Sequence, residues 1–238
     1  MCGRYASTRS PDELTLVFDA LDGTAGEVPP PDYNVAPTKP VYAVRSRETS
    51  RGLDVLTWGL VPSWAKDRTI GSRLLNARAE TLGDKPAFRS AFARRRCLIP
   101  ADGWYEWAPR EHGPGRQPYY LTPADGSVLA FAGLWEVWGT AEDRLLTCTV
   151  VTTASQGALT DVHDRMPLVL PPDRWATWLG EGPERSPADL LAPTPAEMVG
   201  ALEIRPVGPE VGNVRNNGAD LVTARYDAGD VASTTTLF

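Results

Sequence analysis

Lysine is nearly missing from this 238-residue chain, which holds three copies against 21 arginines, and histidine occurs only twice. Cysteine is equally sparse. Cys2, Cys97 and Cys148 are an odd number without close spacing, which excludes a disulfide framework and points to a reducing compartment. With only two histidines to join them, they also lack the paired spacings of structural zinc, so no metal is expected. No G-x-G-x-x-G or P-loop occurs, so no nucleotide cofactor is expected either. No run of about 18 apolar residues could span a bilayer, and the N-terminus has no basic, apolar, small-residue signal pattern. The expectation is a cytoplasmic protein that leaves membranes alone. The shortage of lysine leaves guanidinium as the main cation, a group suited to forking onto phosphate, although genome composition produces the same bias.

What is present is an ordinary globular composition, 42% hydrophobic and 23% charged. The length suits one large domain or two small ones. No convincing linker breaks the chain, so a single domain over 1–238 is expected, with 222–238 as a C-terminal tail and a monomer as the working state. The formal charge of −6 speaks against nucleic acid, but it is unevenly spread. Residues 1–120 hold 17 basic and 14 acidic side chains, residues 121–238 hold 7 and 16, and Lys66 to Arg96 alone carries nine basic against three acidic. Such a segment can contact a phosphate backbone, though a basic stretch is more often a solvated face.

Local signals mix helix and strand without a repeat. Ser10-Pro11-Asp12-Glu13 is a capping box with proline at the first helical position, predicting a short helix to Leu21. Residues 22–40 read as a loop, and 109–118 and 180–195 as a long hairpin loop and a surface excursion. Strands are predicted at 41–47, 53–58, 97–99, 119–122, 128–138, 145–153 and 166–170. Helices are predicted at 76–82, 86–94, 173–179, 186–191 and 194–201. Strands in the middle with helices at both ends predict an α+β fold.

Several polar words interrupt these elements. Glu106, flanked by Trp104, Tyr105 and Trp107, is a candidate for desolvation and therefore for proton delivery near neutrality; a glutamate on the wet face of an alternating strand fits the pattern equally well. His163 lies beside Asp164 and Arg165, and is either a strand cap or a proton shuttle, whereas His112 reads as a solvent-exposed loop residue. Met1-Cys2-Gly3-Arg4-Tyr5 carries a small residue at position 2, as a methionine aminopeptidase requires. If Met1 is removed, Cys2 presents an α-amine of pKa about 7.7 to 8.0 and a thiol of pKa about 8.5 in one residue. That 1,2-aminothiol captures aldehydes as imines and closes them to thiazolidines. A frayed terminus with an incidental cysteine is the plainer reading of these five residues alone.

Taken together, the words resemble the SRAP family, the SOS-response-associated peptidase domain of abasic-site processing proteins. The resemblance runs through Met1-Cys2-Gly3-Arg4-Tyr5, Tyr33-Asn34-Val35-Ala36-Pro37, Trp58-Gly59-Leu60-Val61-Pro62-Ser63-Trp64, Asn76-Ala77-Arg78-Ala79-Glu80, Asp102-Gly103-Trp104-Tyr105-Glu106-Trp107, His163-Asp164-Arg165-Met166-Pro167 and Gly212-Asn213-Val214-Arg215-Asn216. It implies a single complex mixed α/β domain built around a central β-barrel-like sheet flanked by short helices. It also implies covalent capture of abasic sites in single-stranded DNA, shielding the lesion during the damage response, by a protein that joins the nucleoid when bound. By the same resemblance Cys2 supplies amine and thiol, and Glu106 protonates the sugar oxygen to open the ring. His163 serves as a second acid or base, and Asn76 orients Cys2 and the sugar hydroxyl. Arg4, Arg78 and Arg165 match phosphate contacts; Pro37, Trp64 and Trp107 match surfaces on which bases stack. Ala65 stands where some members have a second aromatic, which implies weaker stacking on that side. Two other readings stay open: an N-terminal-nucleophile cysteine peptidase or amidase acting on the Met1–Cys2 bond, and a non-covalent single-strand-binding module.

Overall fold

A computed structural model describes residues 2–110, 114–183 and 186–225. The predicted exposed loop position of His112, the processing of Met1 and most of the predicted tail fall outside them. The strands are β1 Tyr5–Ser7, β2 Ala20–Asp22, β3 Asp32–Val35, β4 Pro40–Ser46, β5 Arg51–Trp58, β6 Asn76–Arg78, β7 Arg96–Ala101, β8 Gly103–Pro109, β9 Arg116–Pro123, β10 Leu129–Trp138, β11 Leu145–Ala154, β12 Arg165–Pro167 and β13 Leu202–Pro206. The helices are α1 Pro11–Phe18, α2 Arg89–Arg94, α3 Pro172–Leu179, α4 Pro187–Leu190 and α5 Ala196–Gly200.

The predicted barrel is present. β11, β10, β7, β4 and β5 hydrogen-bond in that order, and β5 returns to β11 in parallel through the pairs Thr57–Thr147 and Trp58–Cys148, closing a five-stranded ring. Closure removes free sheet edges. β6 and β12 pair with β11, and β2 with β5, outside the ring. A second sheet, antiparallel throughout, runs β13-β9-β8-β1-β3. Alternation along the ring strands sorts their side chains into two apolar clusters. One contains Tyr42, Val44, Leu98, Ala132 and Val151 and packs on α1, α2 and α3. The other contains Trp58, Cys97, Ile99, Phe131 and Cys148 and packs on the second sheet through Tyr5, Val35, Trp104 and Leu121. Cys97 and Cys148 are thus the small buried hydrophobes expected of them.

The α1 capping box forms as predicted, with the Ser10 amide donating to Glu13 Oε2 at 2.9 Å and the Glu13 amide to Ser10 Oγ at 3.3 Å. Each such cap stabilises a helix by about 1 kcal/mol. The helix stops at Phe18 rather than Leu21, because Asp19 turns left-handed (φ 49°) and Ala20–Asp22 pair with β5. Other predictions are corrected too. Residues 76–82 form no α-helix: Asn76, Ala77 and Arg78 pair in parallel with Val150, Val151 and Thr152, and a 3-10 turn follows at Ala79–Thr81. The ladder to β11 outweighs the modest helix preference of Ala-Arg-Ala-Glu, which is worth only tenths of a kcal/mol per residue. The 22–40 loop contains β3, because Tyr5 and Ser7 of β1 pair with Val35 and Asp32. Helix 86–94 shortens to Arg89–Arg94, strand 166–170 becomes Arg165–Pro167, and β13 was not foreseen.

Candidate active site

β1 enters the second sheet between β8 and β3, so the residues just before it are carried against the barrel. Cys2 is fully buried there. β6 meets it from the barrel side: Asn76 Nδ2 donates to the Cys2 carbonyl oxygen at 2.7 Å. The Asn76 amide oxygen is buried and accepts no hydrogen bond among the described residues, which leaves one acceptor available beside Cys2.

Glu106 lies on β8, opposite Tyr119. Strand alternation points it to the same face as Trp104, whose side chain is wholly buried in the apolar cluster holding Cys2, while Tyr105 and Trp107 face the other way. Glu106 is 3% exposed, so the wet-face alternative is excluded. Burial pushes its carboxyl up to about 7, close to the pH at which a general acid works best. Its charge is felt by Cys2, whose thiol is pushed well above its usual range, first by burial and then by Glu106.

His163 precedes β12 and brings Nε2 to 3.9 Å from Glu106 Oε2. Its Nδ1 accepts from the Arg165 amide at 2.9 Å and also lies 2.8 Å from Asp164 Oδ1. One nitrogen cannot accept from the amide and donate to the carboxylate at once. The amide is fixed by the backbone, whereas the Asp164 side chain is 86% exposed, so we assign Nδ1 as the acceptor and the proton to Nε2, facing Glu106. Burial lowers the His163 pKa, which favours this neutral form.

Cys2, Asn76, Glu106 and His163 are therefore one group. The arginines are disposed differently from one another. Arg78 is exposed and forms no ion pair among the described residues. Arg165, across β11 from it, is forked onto Glu80 at 2.7 and 3.0 Å and donates to the Thr152 carbonyl at 2.6 Å. Arg4 is partly buried, donates to Asn34 Oδ1 at 2.7 Å and the Val211 carbonyl at 2.9 Å, and lies 6.0 Å from the Trp107 ring. Trp107 and Pro37 are half-buried, and Trp64 is 60% exposed on the segment after β5.

Residues 1–214 match the family described as SOS response associated peptidase (SRAP). The chain belongs to the SRAP family. It is 37% identical over 229 residues to abasic site processing protein YoaM of Bacillus subtilis (strain 168), covering 94% of this chain and 98% of that one. It is 32% identical over 225 residues to abasic site processing protein YedK of Escherichia coli (strain K12), covering 93% and 99%. A crystal structure of a Bacteroides thetaiotaomicron protein matches with a TM-score of 0.81 at 23% identity, covering 94% of this chain and 100% of that one, a likeness of fold alone. The crystal structure of a phage-related protein from Bordetella bronchiseptica matches at 0.66 and 29% identity, covering 87% and 94%.

Two side chains of this SRAP chain were missed as site residues in the sequence. Asn34 is fully buried, accepts from Arg4 and donates to the carbonyls of Asn213 and Asn216, both at 3.0 Å, tying Arg4 to the segment after β13. Glu80 holds Arg165. Both lie inside the words quoted above, but their partners are 30 and 85 residues away in sequence, so spacing gave no sign of them.

Proposed function

We propose that this SRAP chain processes abasic sites in single-stranded DNA by covalent capture at Cys2, once Met1 has been removed and Cys2 carries the free α-amine. The lesion's ring-opened form presents an aldehyde. The amine nitrogen adds to that carbon, and the resulting hydroxyl leaves as water to give an imine. The thiol sulfur then adds to the imine carbon while its proton passes to nitrogen, closing a thiazolidine. Glu106 protonates the ring oxygen as the sugar opens, His163 Nε2–H takes part in proton transfer beside it, and Asn76 holds Cys2 while its free amide oxygen accepts a sugar hydroxyl. This is nucleophilic catalysis with positioned proton donors.

The observation that carries the reading is the grouping of a buried Glu106, His163 at 3.9 Å from it and Asn76 donating to the Cys2 carbonyl at 2.7 Å, with burial pushing the Glu106 carboxyl up to about 7. The naming of YoaM and YedK as abasic site processing proteins supports it. A cysteine peptidase needs a thiolate, and burial together with Glu106 drives the Cys2 thiol the other way. Exposed Arg78 contacts phosphate, Arg4 and Arg165 assist once their internal partners are shared, and Pro37, Trp64 and Trp107 receive flanking bases, a sequence-tolerant interaction.

Protein whose mass shows complete loss of Met1 should give a heat-stable, slowly migrating band with an oligonucleotide bearing one abasic site and none with the intact strand. Absence of that band, from protein that demonstrably binds the strand, would refute covalent capture.

A further inference from the structure

A cavity of about 410 Å³ is lined by Thr38, Thr57, Gly59, Gly71, Thr147 and Arg68, of which Arg68 is exposed and Thr147 fully buried. The two glycines are there for packing, since a Cβ on Gly59 would lie 2.7 Å from the Gly71 carbonyl oxygen and one on Gly71 2.6 Å from that of Gly59. Where they line the cavity they present peptide groups and no side chain. Thr57 and Thr38 make no side-chain hydrogen bond among the described residues, so their hydroxyls are available to a ligand. Thr38 is also a β-branched residue held left-handed at φ 68°, a conformation that costs on the order of 1 kcal/mol or more and persists where surroundings impose it. Here the Thr38 amide donates to the Trp58 carbonyl at 2.8 Å and the Trp58 amide to the Lys39 carbonyl at 3.0 Å, fixing the turn. Arg68 is exposed and in no ion pair among the described residues.

The cavity's position gives it a ligand. Thr38 follows Pro37, Val61 at the cavity wall is three residues from Trp64, and Ser72 at its mouth is four residues from Asn76. Four residues reach at most about 14 Å, no more than about four stacked nucleotides.

We propose that this cavity takes one unstacked base of the single strand flanking the lesion, laid against Gly59 and Gly71 with its edge against the Thr38 and Thr57 hydroxyls and its phosphate on Arg68. The proposal rests on the reading that the chain binds single-stranded DNA, and not on covalent capture. Hydroxyls that both donate and accept suit any base, so the site adds affinity without choosing sequence.

The test is a binding measurement by fluorescence anisotropy on intact strands, independent of crosslinking. In the wild-type protein, replacing each nucleotide in turn by a base-less tetrahydrofuran unit should reveal one position whose loss weakens binding about tenfold. Ser72→Trp, which plugs the cavity, should weaken the intact strand by a similar factor and abolish the effect of that one replacement. Thr57→Val, which keeps the volume and removes the hydroxyl, should weaken it about threefold with an unchanged melting temperature. Scanning that finds no such position, or a folded Ser72→Trp protein that retains both wild-type affinity and the positional effect, would overturn the proposal. Failure of wild-type protein to bind any single strand would instead refute the DNA reading beneath it.

Discussion

Replacing Glu106 by glutamine should change how stability depends on pH more than it changes stability at any one pH. In the unfolded chain this glutamate ionises near 4.5, and in the folded protein near about 7. Between those values the folded protein holds a proton that the unfolded chain has released, so stability falls as pH rises. The contribution is fully present below pH 4.5 and is lost by the time the pH passes 7. At about 1.4 kcal/mol per unit, the interval amounts to about 3 kcal/mol. Glutamine carries no such proton. The stability of Glu106→Gln relative to wild type should therefore climb by about 3 kcal/mol between pH 4.5 and 8, read from urea unfolding followed by tryptophan fluorescence. In a chain of this length that equals a relative rise in melting temperature of about 10 °C. Titrating groups distant from Glu106 cancel in the difference, whereas Cys2 and His163, which adjoin its charge, do not. Two profiles that run parallel across the range would refute the assignment of Glu106 as a desolvated, proton-holding group, and with it the proton source of the proposed chemistry.

Four further outcomes are expected. Cys2→Ala should abolish the heat-stable band, while folded Cys97→Ala and Cys148→Ala should form it normally; loss in either of the latter would move the nucleophile away from Cys2. Arg78→Ala should weaken binding to intact and abasic strands alike and reduce the salt slope by about one, leaving the reaction rate of bound complexes unchanged; an unaltered slope would remove Arg78 from the phosphate path. Glu80→Gln releases Arg165 from its fork and should tighten binding of intact single strands by up to about fivefold, whereas weaker binding would make the pair purely structural. Protein that retains Met1, shown by mass, should bind single strands yet not crosslink, because an amide nitrogen cannot form an imine. Efficient crosslinking by such protein would require another nucleophile.

Features decided by neighbours in sequence were legible from the residues themselves, whereas those decided across the fold, the barrel and the four-residue site among them, were expected only through the family resemblance or not at all. The α1 cap is a four-residue signal, and it formed as read. The long strands around 128–138 and 145–153 announced themselves by apolar, β-branched composition. By contrast, the Asn76 segment has helix-forming residues and becomes a strand only because β11 offers it a ladder. The β5–β11 pairing that closes the barrel joins residues 90 apart with no local trace. Glu106 shows the limit most clearly. Its aromatic neighbours left both a desolvated and a wet-face position open, and which face meets the core depended on β1 and β9 packing beside it. The same holds for the arginines: Arg4, Arg78 and Arg165 look alike in sequence, and only folding sets one free and gives the others Asn34 and Glu80.

Asn76 grips Cys2 by its carbonyl oxygen, the one polar atom of that residue that the proposed chemistry leaves untouched. Cleavage of the preceding bond alters the nitrogen, and condensation with an aldehyde alters nitrogen and sulfur, but the carbonyl stays the same throughout. The anchor is thus blind to the progress of the reaction. It can hold precursor, mature and crosslinked forms in one position, so the site does not need to be rebuilt at any stage, and the finished adduct remains moored where it was made.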